Sequence, residues 1–172
     1  MKKNLVLMLL GFFVSFTISG QSQKEQKNEK ALKEYQEMKA LIETGAFDFQ
    51  ADWATTTQGR RISLTSNANF LKFTKDSLNI YLPYFGSSSS GGAAMTSNGG
   101  IVYSGPKRKF KISFSDKKQK INIDFNASDK NDAYEFNMSI FRGGNTLITV
   151  NCNYRTTIKY DGLTKKPKPD RK

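Results

Sequence analysis

From residue 46 onward apolar residues recur at every second position, a period that restricts the chain to sheet with one buried and one wet face. Phe47, Phe49, Ala51 and Trp53 alternate with polar neighbours, as do Ile62 and Leu64, then Leu78, Ile80 and Leu82, then Phe110, Ile112 and Phe114. Ile121, Ile123 and Phe125 follow, then Tyr134, Phe136, Met138 and Ile140, then Ile148, Val150, Cys152 and Tyr154, and last Ile158 and Tyr160. Turn-forming stretches separate these runs at Thr57-Gln58-Gly59, Lys75-Asp76, Asp116-Lys117, Lys130-Asn131 and Gly143-Gly144-Asn145. Links this short join successive strands antiparallel. The expected fold is mainly β: an antiparallel meander of about 8–10 strands, barrel-like or a two-sheet sandwich.

One helix precedes the strands. Ala31, Leu32, Tyr35, Met38, Leu41 and Ile42 recur at three- and four-residue spacing, with Lys and Glu opposite and Gly45 placed to end the run. That pattern predicts an N-terminal amphipathic helix over residues 26–44, packed on the sheet by its apolar stripe. Residues 21–30 are polar throughout and read as a mobile lead-in.

The first twenty residues have the order of a cleavable export signal. Lys2 and Lys3 precede an uncharged apolar run from Leu5 to Ile18, and Ser19-Gly20 supplies small residues before Gln21. The run falls short of the roughly 20 residues needed to span a bilayer, so no transmembrane segment is expected after cleavage. No cysteine follows it to carry acyl chains, which argues against a lipoprotein. The expectation is an exported protein, periplasmic or secreted, with a single β-rich domain over residues 31–162. Residues 163–172 are basic, broken by prolines, and read as a disordered tail.

Composition narrows the chemistry. The chain has no histidine, which removes the commonest general base, metal ligand and pH switch. Cys152 is the single cysteine, so no internal disulfide forms, and its place on the apolar side of a strand marks it as a buried structural thiol. No phosphate loop, zinc spacing, calcium loop or nucleophile elbow occurs, and no metal or cofactor is expected. The net charge is +12, falling to +10 when Lys2 and Lys3 leave with the signal, which favours anionic partners.

Three stretches together carry a family resemblance. They are Leu82-Pro83-Tyr84-Phe85-Gly86, then Gly99-Gly100-Ile101-Val102-Tyr103, and the segment from Tyr134 to Gly162 with Gly143-Gly144-Asn145-Thr146-Leu147, Arg155 and Ile158-Lys159-Tyr160-Asp161-Gly162. With the signal and the helix, their order and spacing resemble the exported bacterial family called domain of unknown function 4251, from about residue 30 to 162. The resemblance implies an exported β-rich domain and supplies no activity, ligand or catalytic residue.

Three candidate sites follow from the residues. The first is the strand end at Tyr84 and Phe85, with Tyr103 on the returning strand and a Gly/Ser-rich stretch, 86–100, between them. Aromatics at a barrel mouth beside a long loop suit a small, partly apolar ligand. The second is a basic hairpin of Lys107, Arg108, Lys109, Lys111, Lys117, Lys118 and Lys120, suited to anionic lipid or polysaccharide. It lacks the wet-face aromatics of a single-strand platform, so no nucleic acid partner is expected. Lysines on exposed strands also serve to prevent edge-to-edge pairing. The third is a set of carboxylates, Asp48, Asp52, Asp124 and Glu135, which would support hydrolysis if two converged in a cleft. The leading expectation is a non-catalytic binding module; an envelope-associated interaction protein and a carboxylate hydrolase are the alternatives.

Overall fold

The computed structural model describes residues 2–87, 100–129 and 132–168, with side chains from residue 23 onward. Helix α1 (Lys2–Glu43) leads into ten strands: β1 (Phe47–Thr56), β2 (Arg61–Ser63), β3 (Phe70–Phe73), β4 (Ser77–Pro83), β5 (Gly100–Pro106), β6 (Arg108–Ser115), β7 (Lys120–Ser128), β8 (Ala133–Phe141), β9 (Asn145–Cys152) and β10 (Ile158–Lys165). All ten form one antiparallel sheet in the order β5-β4-β3-β1-β10-β9-β8-β7-β6, with β2 paired to β1 beyond the end of β3. A single sheet discards the sandwich and leaves the nearly closed barrel.

The pairing of β1 with β10 joins the first strand to the last. Strands β3 to β5, and β6 to β10, are meanders in sequence order. The break in the ring lies between β5 and β6. Counting antiparallel pairs around the sheet, these two edge strands run in the same direction, with Lys107 alone between them. Residues 100–115 are thus one bent strand whose first half pairs with β4 and whose second half pairs with β7. The bend carries a register shift between Arg108 and Lys111 and a positive φ of 48° at Lys109. Bulges of this kind turn a strand sharply enough to curl a sheet on itself.

The inward faces fill the interior. Phe47 stacks on Phe73 at 4.3 Å between centroids, Phe73 meets Phe125 edge-on at 5.4 Å, and Phe125 stacks on Phe136 at 4.6 Å. Offset and edge-on arrangements match ring quadrupoles and add to the area these rings bury. One end of the barrel is capped by α1. Tyr35, Met38 and Ile42 are buried, and Tyr35 Oη donates to Asp116 Oδ1 at 2.6 Å in the 3-10 turn Asp116–Lys118. Met38 also touches the turn Arg142–Gly144, where Gly144 holds a φ of +86° and a β-carbon would strike the Thr164 carbonyl oxygen.

Several expectations need correction. The helix begins far ahead of residue 26, and the described part of the 21–30 segment is helical and exposed rather than a loose lead-in. Its Lys, Glu and Gln residues are good helix formers with no Gly or Pro to interrupt them. Strand β10 extends to Lys165, past the expected boundary at 162, because Asp48 and Phe49 pair with Lys165 and Thr164. Trp53 is 38% exposed, not inward, because a bulge between Ala51 and Trp53 places both Asp52 and Trp53 outside and returns Ala54 to the core. Phe114 is 37% exposed because β6 is an edge strand, and Tyr154 is exposed because β9 ends at Cys152. The Lys130-Asn131 turn, most of the stretch 86–100 and residues 169–172 lie outside the described residues.

Candidate functional site

The end of the barrel opposite α1 is where β4, β7, β9 and β1 finish and β5, β8 and β10 begin. Pro83 ends β4, having no N–H to continue the ladder, and delivers Tyr84 to this rim. Tyr84 Oη donates to the Thr156 carbonyl at 2.6 Å, and its half-buried ring faces the Arg155 guanidinium, 5.2 Å from ring centroid to Cζ. The guanidinium also lies over the buried ring of Tyr134, at 6.0 Å. Tyr134 Oη in turn donates to Asp129 Oδ2 at 2.8 Å.

Arg155 and Asp132 form a buried ion pair beside these rings. Their side chains are 4% and 1% exposed, and Arg155 Nε lies 3.7 Å from Asp132 Oδ2. The other carboxylate oxygen, Oδ1, accepts from three backbone N–H groups: Ala133 at 2.8 Å, Asn153 at 3.0 Å and Tyr154 at 3.3 Å. Arg155 Nη2 and Asp132 Oδ2 are sealed from solvent, and neither has a hydrogen-bond partner among the described residues. An unmet buried donor or acceptor costs about 1–3 kcal/mol, more when charged, so such atoms are seldom left bare. Burial shifts the neighbouring groups in the expected sense. The Tyr84, Tyr134 and Tyr160 phenols are raised, and the Cys152 thiol is pushed up to about 12 by burial and then by the charge of Asp132. A thiol held protonated in this way is inert at neutral pH.

The sequence-named aromatics divide. Tyr84 is part of this cluster, and Phe85 is exposed beside it. Tyr103 is buried next to Ile80, four residues back along β4, and its hydroxyl turns away to the Pro106 carbonyl at 2.7 Å. Arg155 stood out in the sequence only as part of the family resemblance, and Asp132 only by its place beside the Lys130-Asn131 turn signal; Asp129 Oδ1 accepts from the Asp132 N–H.

The basic residues are also dispersed. Lys107 turns inward at the β5–β6 bend and donates to the Lys75 carbonyl at 3.0 Å and the Gly45 carbonyl at 3.4 Å, with burial lowering its pKa. Arg108, Lys109 and Lys111 are exposed on β6, but Lys111 pairs across the ladder with Asp124. Lys117 and Lys118 follow Asp116 in the 3-10 turn, and Lys120 leans toward Phe141. Of the four carboxylates, Asp124 accepts from Asn137 at 3.0 Å, Asp48 is buried near the Lys168 N–H, and Glu135 sits between Asn126 and Asn151. Asp52 alone shares a cleft with another acid, Asp161, on the outer wall. Among the described residues no group of three or more Cys, Asp or Glu is placed to hold a metal.

No curated protein matches this chain. The crystal structure of a DUF4251 family protein from Bacteroides eggerthii DSM 20697 is similar in fold, with a TM-score of 0.59 at 20% identity over 77% of this chain and 87% of that one. The family model described as "Domain of unknown function (DUF4251)" matches residues 29–164, and the chain belongs to that family.

Proposed function

We propose that this protein is an exported, non-catalytic binding module that holds a small, partly apolar ligand at the barrel rim beside Tyr84. The observation that carries the reading is the sealed pair of unpartnered atoms, Arg155 Nη2 and Asp132 Oδ2. A donor and an acceptor side by side are both satisfied by one neutral group that accepts and donates at once, a hydroxyl or a carboxamide. The rings of Tyr84 and Tyr134 supply the apolar walls expected around such a polar anchor. Tyr84, the half-buried member, is the ring that moves to admit the ligand. Core side chains fill the interior, which favours the rim over the core phenylalanines as the ligand's position. Acids interleaved with the cations weigh against the basic hairpin as the main surface, since Asp116 and Asp124 lie among them.

Native mass spectrometry of the mature protein, isolated gently from the envelope fraction, tests this reading. The expected result is a reproducible extra mass that disappears on denaturation and is absent from an Arg155→Met variant. A clean unliganded mass from the wild-type protein contradicts it.

A further inference from the structure

The outer wall of the barrel carries a second feature that the rim reading leaves unused. Because of the bulge in β1, the chain's one tryptophan stands outside the sheet, with Asp52 beside it on the same face. Across the ladder Trp53 faces Asp161 on β10, and Asp161 faces Leu147 on β9. With Phe141 and Asn145, these residues line an open groove of about 250 Å³. Trp53, Phe141 and Leu147 are all exposed. The Arg61 guanidinium covers the Trp53 ring at 4.6 Å, but Arg61 does not line the groove.

Thr146 also lines the groove but spends its hydroxyl on Gly144 and Thr164; the other polar groups there are free to act. Among the described residues, the carboxylates of Asp52 and Asp161 enter no ion pair, and neither they nor the Asn145 amide nor the Trp53 N–H has a hydrogen-bond partner. An aromatic platform flanked by carboxylates presents a flat apolar surface ringed by acceptors. That combination fits a pyranose ring, whose C–H face lies on an aromatic ring while its hydroxyls donate to carboxylate oxygens. Arg61 over the Trp53 ring and Lys120 over the Phe141 ring set two cations beside the two acids, so the groove has no net charge with which to draw an anion or a cation, and it favours a neutral sugar.

We infer that the groove at Trp53 binds neutral oligosaccharide without cleaving it, independently of the rim site. Trp53 is the chain's sole tryptophan, so its fluorescence reports on this groove alone. The test is a titration of the mature protein with maltohexaose, cellohexaose, xylohexaose and mannohexaose, following emission and acrylamide quenching, with tetramethylammonium chloride and polygalacturonate alongside. The expected result is a saturable emission shift and protection from quenching with at least one neutral hexaose. Asp161→Asn should weaken that binding by about tenfold or more, with Tyr84→Ala leaving it unchanged. Unchanged emission and quenching with all four hexaoses overturns the inference. So does a response confined to tetramethylammonium or polygalacturonate, or the appearance of new reducing ends.

Discussion

Neutralising Asp132 and removing Arg155 should have unequal consequences, because the two charges are compensated unequally. The carboxylate has three backbone N–H groups on Oδ1, whereas Arg155 Nη2 has no partner among the described residues. Asp132→Asn keeps an oxygen for those N–H groups but strips the charge opposite a buried guanidinium. Leaving a buried charge uncompensated costs about 3–5 kcal/mol. Arg155→Met leaves a carboxylate that its N–H groups still hold, and the methionine side chain takes the guanidinium's place near the Tyr84 and Tyr134 rings. Its cost reduces to the lost cation–π contacts less the gain from sulfur, about 1–2 kcal/mol. With an m-value near 2 kcal/mol/M, the urea midpoint should fall by about 1.5–2.5 M for Asp132→Asn and about 0.5–1 M for Arg155→Met. The double variant should be more stable than Asp132→Asn alone, since the stranded charge is gone. Equal losses for the two single variants, or strict additivity in the double, would refute the reasoning.

Other expectations follow from the packing and the titrations. Burial and the hydrogen bond to Asp116 raise the Tyr35 phenol from its ordinary value near 10 to about 12. The folded state therefore holds this proton more tightly than the unfolded state, and the stabilisation is complete below pH 10 and declines as pH rises towards 12. Urea midpoints of wild type and Tyr35→Phe should converge over that window; parallel curves would show that Tyr35 does not contribute. Cys152 should label with a disulfide reagent at the rate of unfolding, since a thiol with a pKa near 12 has about one part in ten thousand as thiolate at pH 8. Fast labelling of the native protein would show that this half-buried thiol is not held protonated. Gly144→Ala should destabilise by about 2 kcal/mol or more, and Gly59→Ala by about 1 kcal/mol. Both have positive φ, but only at Gly144 does a β-carbon collide with backbone; equal losses in urea unfolding would deny that collision.

The alternation of apolar residues was a sufficient guide wherever a strand is regular and has a neighbour on both sides. Phe47, Phe49, Ile80, Leu82, Ile123, Phe136 and Val150 all lie in the core as their spacing requires. It misled at Trp53, where one inserted residue reverses the phase, and such a bulge leaves no mark in a pattern of apolar and polar letters. Phe114 keeps phase with Phe110 and Ile112, but an edge position leaves it uncovered. The end-to-start pairing of β1 with β10 and the bent strand through Lys107 depend on contacts far apart in the chain, which local periodicity does not carry. The rim site was half legible. The proline that ends β4 pointed to Tyr84, while Asp132 lies just before β8 and Arg155 just after β9, where the pairing of those strands brings them together.

The most direct test of the rim site is a high-resolution crystal structure of the protein isolated from its native source without refolding. The expected result is density for an organic group bridging Arg155 Nη2 and Asp132 Oδ2 and continuing along the Tyr84 ring. A lone water bridging those two atoms, with Tyr84 closed over it, would contradict the account and leave the ion pair as part of the scaffold.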